Sequence, residues 1–177
     1  MIACERSFTH QISTRIGLTN HRLATMASTT ATETQTFTGS CHCKAITYTV
    51  ALPIDHPKVA TRCNCTVCQK PNFTSLPVSP SAFTLLTPSS KSELADYQPR
   101  SKDCHRYFCR NCGMQVLSEG TITFEGQTFD FFSIGLTTLD QPQEGLDLSE
   151  WKYNYCDGRT DNFAAGMADT PWKGGAL

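Results

Sequence analysis

The chain has 177 residues, 15 Lys and Arg against 16 Asp and Glu, and a formal net charge of −1. That length fits one domain with a tail, and the charge balance gives no footing for nucleic acid or an anionic membrane surface. No apolar run approaches the ~20 residues that a membrane helix needs, so no membrane span is expected.

Residues 1–36 read as a disordered tail, because their Thr, Ser and Ala offer little to bury. Within it, residues 1–25 carry Arg6, Arg15 and Arg22 with Glu5 as the sole acid, a composition that fits a mitochondrial transit peptide. The plainer reading makes Met26 the true start, with a gene-model extension before it, and places the protein in the cytoplasm.

From Phe37 to residue 177 the pattern reads as one mainly β domain with little helix. Ala45 to Val50 alternates, with Ile46, Tyr48 and Val50 on one face. Pro71 to Pro80 reads as loop. Phe83 to Leu86 is a short strand, and His105–Phe108 and Gln115–Leu117 are strands flanking a Cys-x-x-Cys knuckle. Thr121–Phe124 and Thr128–Ile134 form a hairpin in which Gly126 supplies the positive φ of the turn. Asp140 to Leu148 reads as loop with a short helical turn. Trp151 to the end is rich in Gly and Asp and is expected to wrap the surface.

Ten cysteines are too few for a secreted disulfide scaffold, and their spacing says more than their number. Cys41-x-Cys43, Cys63-x-Cys65-x-x-Cys68 and Cys109-x-x-Cys112 hold seven of them. A disulfide between residues two apart in a strand is strained, whereas these spacings suit turns that aim thiolates at one metal ion. Reduced, metal-bound thiolates in a reducing compartment are therefore expected.

The seven divide into four and three. Cys41, Cys43, Cys109 and Cys112 make a filled tetrahedral Cys4 set, the arrangement of structural zinc. Cys63, Cys65 and Cys68 are left with three thiolates and an open fourth position, the arrangement of a catalytic zinc, so two Zn2+ per chain are expected. Three thiolates on Zn2+ leave a net charge near −1, which weakens the ion as a generator of hydroxide but suits it to hold an incoming thiol. Cys104, His105, Cys156 and Asp157 are the side chains that would close this second site instead. Cys4 reads as incidental, and His42 points away between two ligands. Lys70, Arg62 and Arg106 are the cations that would offset the site or anchor a substrate carboxylate.

The three clusters in this order, GSCHCKAITYTV from Gly39, CNCTVCQK from Cys63 and RYFCRNCGMQV from Arg106, closely resemble the glutathione-dependent formaldehyde-activating family, which includes the centromere protein V-like proteins. The resemblance implies a β-tent fold, two small antiparallel sheets meeting over zinc. It implies structural zinc on Cys41, Cys43, Cys109 and Cys112, and a catalytic-type zinc on Cys63, Cys65 and Cys68. It also implies a carbon–sulfur lyase that joins glutathione and formaldehyde into S-hydroxymethylglutathione, with a small thiol as partner. Two other readings stay open: a lyase or isomerase of the same fold acting on another small metabolite without glutathione, and a non-catalytic zinc-stabilised binding module. Phe129, Phe131, Trp151 and Tyr153 gathered beside the middle cluster would favour the former; basic extensions, which the charge balance argues against, would favour the latter.

Overall fold

The structure is a computed structural model that describes residues 32–99, 102–124 and 126–175. The expectations for residues 1–31, a transit peptide or a start at Met26, lie outside the described residues.

Among the described residues, ten strands form two sheets. β1 (Thr34–Ser40), β2 (Thr47–Pro53) and β5 (Phe83–Thr87) make a three-stranded antiparallel sheet in the order β1-β2-β5. The other seven are β3 (Val59–Cys63), β4 (Thr74–Pro77), β6 (Ala95–Tyr97), β7 (Cys104–Phe108), β8 (Gln115–Phe124), β9 (Gln127–Gly135) and β10 (Lys152–Cys156). Their order across the second sheet is β10-β3-β4-β9-β8-β7-β6. The only α-helical segment among the described residues is the four-residue α1 (Thr66–Gln69), and none of their helices is long and apolar enough to cross a membrane.

A mainly β chain with two sheets and little helix is what the sequence predicts, and the alternation in β2 explains how the sheets close. Tyr48, Val50 and Leu52 are buried while their neighbours are half-exposed. They meet Leu76 of β4, Leu117 of β8 and Ile134 of β9, all at 0–1% exposure, in one core between the sheets. Phe83 joins the layers: its ring lies 5.1 Å from Tyr48 in its own sheet and 5.4 Å from Phe132 of β9. Burying each such side chain contributes on the order of 1.5–3 kcal/mol.

Four expectations change. β1 starts at Thr34, ahead of the Phe37 boundary, because its register with β2 continues to Thr34 opposite Pro53. The stretch read as loop from Pro71 contains β4, whose Thr74 and Leu76 are buried and which pairs with β3 and β9; four residues are too few for alternation to register in the sequence. Gln115 to Phe124 is a single strand, not two. Gly120 marks no break: a Cβ there would lie 2.3 Å from the Asp103 carbonyl oxygen, so the residue permits close approach of β7. The fourth change concerns the second sheet, which is neither small nor wholly antiparallel. Its edge strand β10 pairs in parallel with β3, from Lys152 opposite Val59 to Cys156 opposite Cys63. Trp151–Leu177 was expected to wrap the surface, but it begins with Trp151 in the core and this strand. KYNYC alternates tyrosine with Lys152 and Asn154, a strand signal that the sequence reading passed over, but its parallel partner is not legible in it.

Candidate metal centres

The first cluster is built by two turns of like design. At the end of β1 the Cys41 N–H donates to the Ile46 carbonyl (3.0 Å) and the Lys44 N–H to the Cys41 carbonyl (3.0 Å). Between β7 and β8 the Cys109 N–H donates to the Met114 carbonyl (2.9 Å) and the Gly113 N–H to the Cys109 carbonyl (2.9 Å). Lys44 and Gly113 take φ of 62° and 73°, the left-handed residues that close such knuckles. The returning backbone also reaches the sulfurs, with Ile46 N–H 3.2 Å from Cys41 Sγ and Asn111 N–H 3.4 Å from Cys109 Sγ. Cys41, Cys43, Cys109 and Cys112 thus place four Sγ atoms within 4.8 Å of one another. Cys41 and Cys43 are 3.6 Å apart, Cys43 and Cys109 3.5 Å. One turn belongs to the three-stranded sheet and the other to the seven-stranded sheet, so this cluster straddles the junction between them. His42 is exposed, as expected from its place between two candidate ligands.

Its electrostatics fit a cation. Burial pushes the Cys41 thiol up to about 12, while backbone N–H groups of Cys43 and Met114 bring Cys112 down to about 6. Four soft sulfur donors around one point, one of them at 1% exposure, match the donor set of a tetrahedral thiolate-bound metal.

The second cluster lies at the other end of the larger sheet. Cys63 closes β3, Cys65 is the N-cap of α1 and Cys68 lies within that helix. The Gln69 N–H donates to the Cys65 carbonyl (2.9 Å), and the Phe73 N–H to the Cys68 carbonyl (2.9 Å), which winds the chain tightly enough to bring the three Sγ atoms within 4.8 Å of one another. Each of the three is half-buried. Hydrogen bonds from Cys156, Cys65 and Cys68 hold the Cys63 thiol far below its ordinary value, and the bond to Cys63 in turn pushes Cys65, Cys68 and Cys156 up. Three sulfurs gathered around one point, like the four of the first cluster, could hold a metal ion.

Of the four residues named as closers of this site, the structure brings two to it. Cys156 ends β10 directly opposite Cys63, and Asp157 follows it. Cys104 and His105 sit on β7, separated from β3 by β4, β9 and β8. There the Cys104 thiol donates to the Thr121 carbonyl (3.7 Å), and His105 Nδ1 is 2.8 Å from Asp96 Oδ2. All nine cysteines among the described residues are free thiols.

The three cations divide differently. Arg106 is on β7, bonded to the Ser118 hydroxyl and packed over the Phe131 ring, and so belongs to the sheet rather than to the cluster. Arg62 precedes Cys63 but lies over the Tyr153 ring at 4.1 Å. Lys70 is exposed at the end of α1. The aromatic residues do not gather either: Phe129 and Phe131 lie along β9, and Trp151 is in the core beside His56 at 5.1 Å. An open cleft of about 510 Å3 lined by Val78, His105, Glu119 and Asp130 includes neither cysteine cluster.

Sequence reading missed Asn64, the residue between Cys63 and Cys65. It is 4% exposed and holds the C-terminal segment onto the cluster. Its N–H donates to the Cys156 carbonyl (3.2 Å), its Nδ2 to Asp157 Oδ1 (2.7 Å), and its Oδ1 accepts from the Arg159 N–H (2.8 Å). An amide in the middle of a Cys-x-Cys turn has a donor and an acceptor to satisfy on burial, which was the available signal.

A sequence model described as the glutathione-dependent formaldehyde-activating enzyme matches residues 36–152, more than half of the chain. Among solved structures, a crystal structure of a Rhodobacter sphaeroides protein is similar at 22% identity and a TM-score of 0.49, covering 66% of this chain and 98% of its own.

Proposed function

Since the chain belongs to the glutathione-dependent formaldehyde-activating enzyme family, we propose that it is a zinc-dependent carbon–sulfur lyase joining a thiol, glutathione by the family's name, to formaldehyde or a similar small electrophile. The observation that carries this reading is the division of seven thiols into a complete set of four and a separate set of three. In the reaction the glutathione sulfur bonds to the carbonyl carbon and the carbonyl oxygen takes a proton, giving S-hydroxymethylglutathione.

In this reading Cys41, Cys43, Cys109 and Cys112 hold a structural zinc that fastens the two sheets. Cys63, Cys65 and Cys68 hold the second zinc and leave a fourth position to the substrate. Zinc bound there would stabilise the substrate sulfur as thiolate at neutral pH, the nucleophilic form of a thiol. The chain contributes placement: the Asn64 bonds fix the turn between Cys63 and Cys65, and α1 fixes Cys68 relative to both.

The test is a metal count with an activity measurement. Wild type is expected to hold two zinc ions per chain, and Cys65→Ser one, with the fold retained. Exchange between free formaldehyde and its glutathione adduct, followed by NMR, is expected to be accelerated by wild type and not by Cys65→Ser. One zinc in wild type, or an unfolded Cys65→Ser, would sink the reading.

A further inference from the structure

We propose that Cys156 is a fourth thiol ligand of the second cluster, filling the open position when no substrate thiol is present. This rests on the reading of Cys63, Cys65 and Cys68 as metal ligands. It departs from that reading in making the resting site closed, and from the family match in using a residue beyond its end at 152.

The geometry is specific. β10 pairs in parallel with β3 so that Cys156 stands directly opposite Cys63, and residues in register on neighbouring strands project to the same face. Cys156 is buried at 9% exposure although β10 is the edge strand of its sheet. It is also held there. The backbone N–H of Asn64 bonds the Cys156 carbonyl, and the next residues are tied back to the same asparagine through Asp157 and Arg159. Arg159 adds bonds to the Asn64 carbonyl (3.3 Å) and to Gln69 Oε1 on α1 (2.9 Å).

Gly158 shows how closely this segment approaches. A Cβ on it would lie 2.5 Å from Cys63 Sγ and 3.4 Å from the Cβ of Cys65, so only glycine lets the backbone pass over the cluster. Cys156 is not among the three sulfurs that lie mutually within 4.8 Å, so its sulfur has to move inward from beside Cys63 to join them.

Ligand exchange then balances without an oxidant or an added base. With a metal bound by Cys63, Cys65 and Cys68, an incoming thiol would replace the Cys156 sulfur and its proton would pass to Cys156, leaving the charge at the cluster unchanged. Cys156 would then be the group that gives that proton to the adduct oxygen once the sulfur–carbon bond has formed.

The protein loaded with 113Cd in place of zinc separates the outcomes, because the NMR shift of each ion reports its own thiolate number. Wild type without added thiol is expected to give two resonances, both in the four-thiolate range. In Cys156→Ser one resonance is expected to move to the range of fewer thiolates, and the second ion is expected to be lost to a competing chelator at least about tenfold more readily, the lower end of what losing an outer-shell partner costs. Glutathione is then expected to return the moved resonance to the four-thiolate range. A wild type that already shows one three-thiolate resonance, unchanged in Cys156→Ser, would overturn the proposal and leave the open-site reading intact. A single bound ion per chain would overturn both. The wild-type spectrum alone decides between a closed and an open site, so the test survives a variant that fails to fold.

Discussion

Gly39 and Tyr48 sit opposite each other on β1 and β2, and the tyrosine ring crosses the place where a side chain on residue 39 would be. A Cβ there would lie 2.2 Å from Tyr48 Cζ. The glycine of the Gly-x-Cys-x-Cys stretch is thus a packing requirement two residues before a proposed metal ligand. The buried tyrosine hydroxyl donates to Thr138 Oγ1 (2.8 Å), which donates to the Gly135 carbonyl (2.7 Å), a chain running from the small sheet to the end of β9. Gly39→Ala is expected to lower stability by about 1–3 kcal/mol through overpacking, read as a fall in the denaturation midpoint at constant slope. Tyr48→Phe removes one hydrogen bond and is expected to cost about 1 kcal/mol. An unchanged midpoint in Gly39→Ala would contradict the crossing of ring and strand.

At the scale of elements, β10 and the turn after it act as a clamp on the second cluster. Asp157 sits in that turn as a carboxylate accepting from the Thr160 hydroxyl (2.6 Å) and the Asn64 amide. These two bonds hold it below the usual carboxylate range. A carboxyl whose folded value is depressed stabilises the fold above its unfolded value of about 3.9, and that contribution is lost as pH falls through the folded value. Asp157→Ala is therefore expected to melt below wild type at pH 6, with the gap shrinking as pH is lowered below about 4. A gap that does not vary with pH would mean that the ionised carboxylate is not what holds the turn. α1 is an element of the same kind. Four residues are too few to be stable by propensity, so the bonds around Cys65 and Cys68 and the link from Gln69 Nε2 to the Gly174 carbonyl (2.6 Å) maintain it.

For the whole molecule, the two clusters have different structural weight. The first joins residues 66 apart in sequence and one sheet to the other. Closing so long a loop constrains the unfolded chain, and a structural zinc site contributes on the order of 10 kcal/mol or more at neutral pH, as much as the net stability of an ordinary domain. The second cluster sits at one end of a sheet whose hydrogen bonds do not depend on it. Stepwise chelation is expected to remove one ion with β structure retained, followed by a second whose loss unfolds the protein, seen as two metal-release steps and a single loss of far-ultraviolet circular dichroism. Cys112→Ser is expected to reproduce the unfolded end point. Full chelation without a change in melting temperature would refute the structural assignment.

The sequence alone determined the contents of the two clusters, because Cys-x-Cys and Cys-x-x-Cys are local geometries: their turns aim sulfurs wherever the rest of the chain goes. It determined the face of β2 that enters the core, because alternation in Ile46, Tyr48 and Val50 is a period that burial must obey, and Leu52 continues it. Tertiary structure decided what local pattern does not encode. β4 is too short to show a period, and β10 has a parallel partner that lies 93 residues earlier in register, Lys152 against Val59. That pairing alone sets Cys156 against Cys63 and Asn64 beneath the turn that follows. Cys156 reads in the sequence as one spare thiol among several; its place beside the three-cysteine cluster comes from long-range strand pairing, which no spacing of neighbouring residues records.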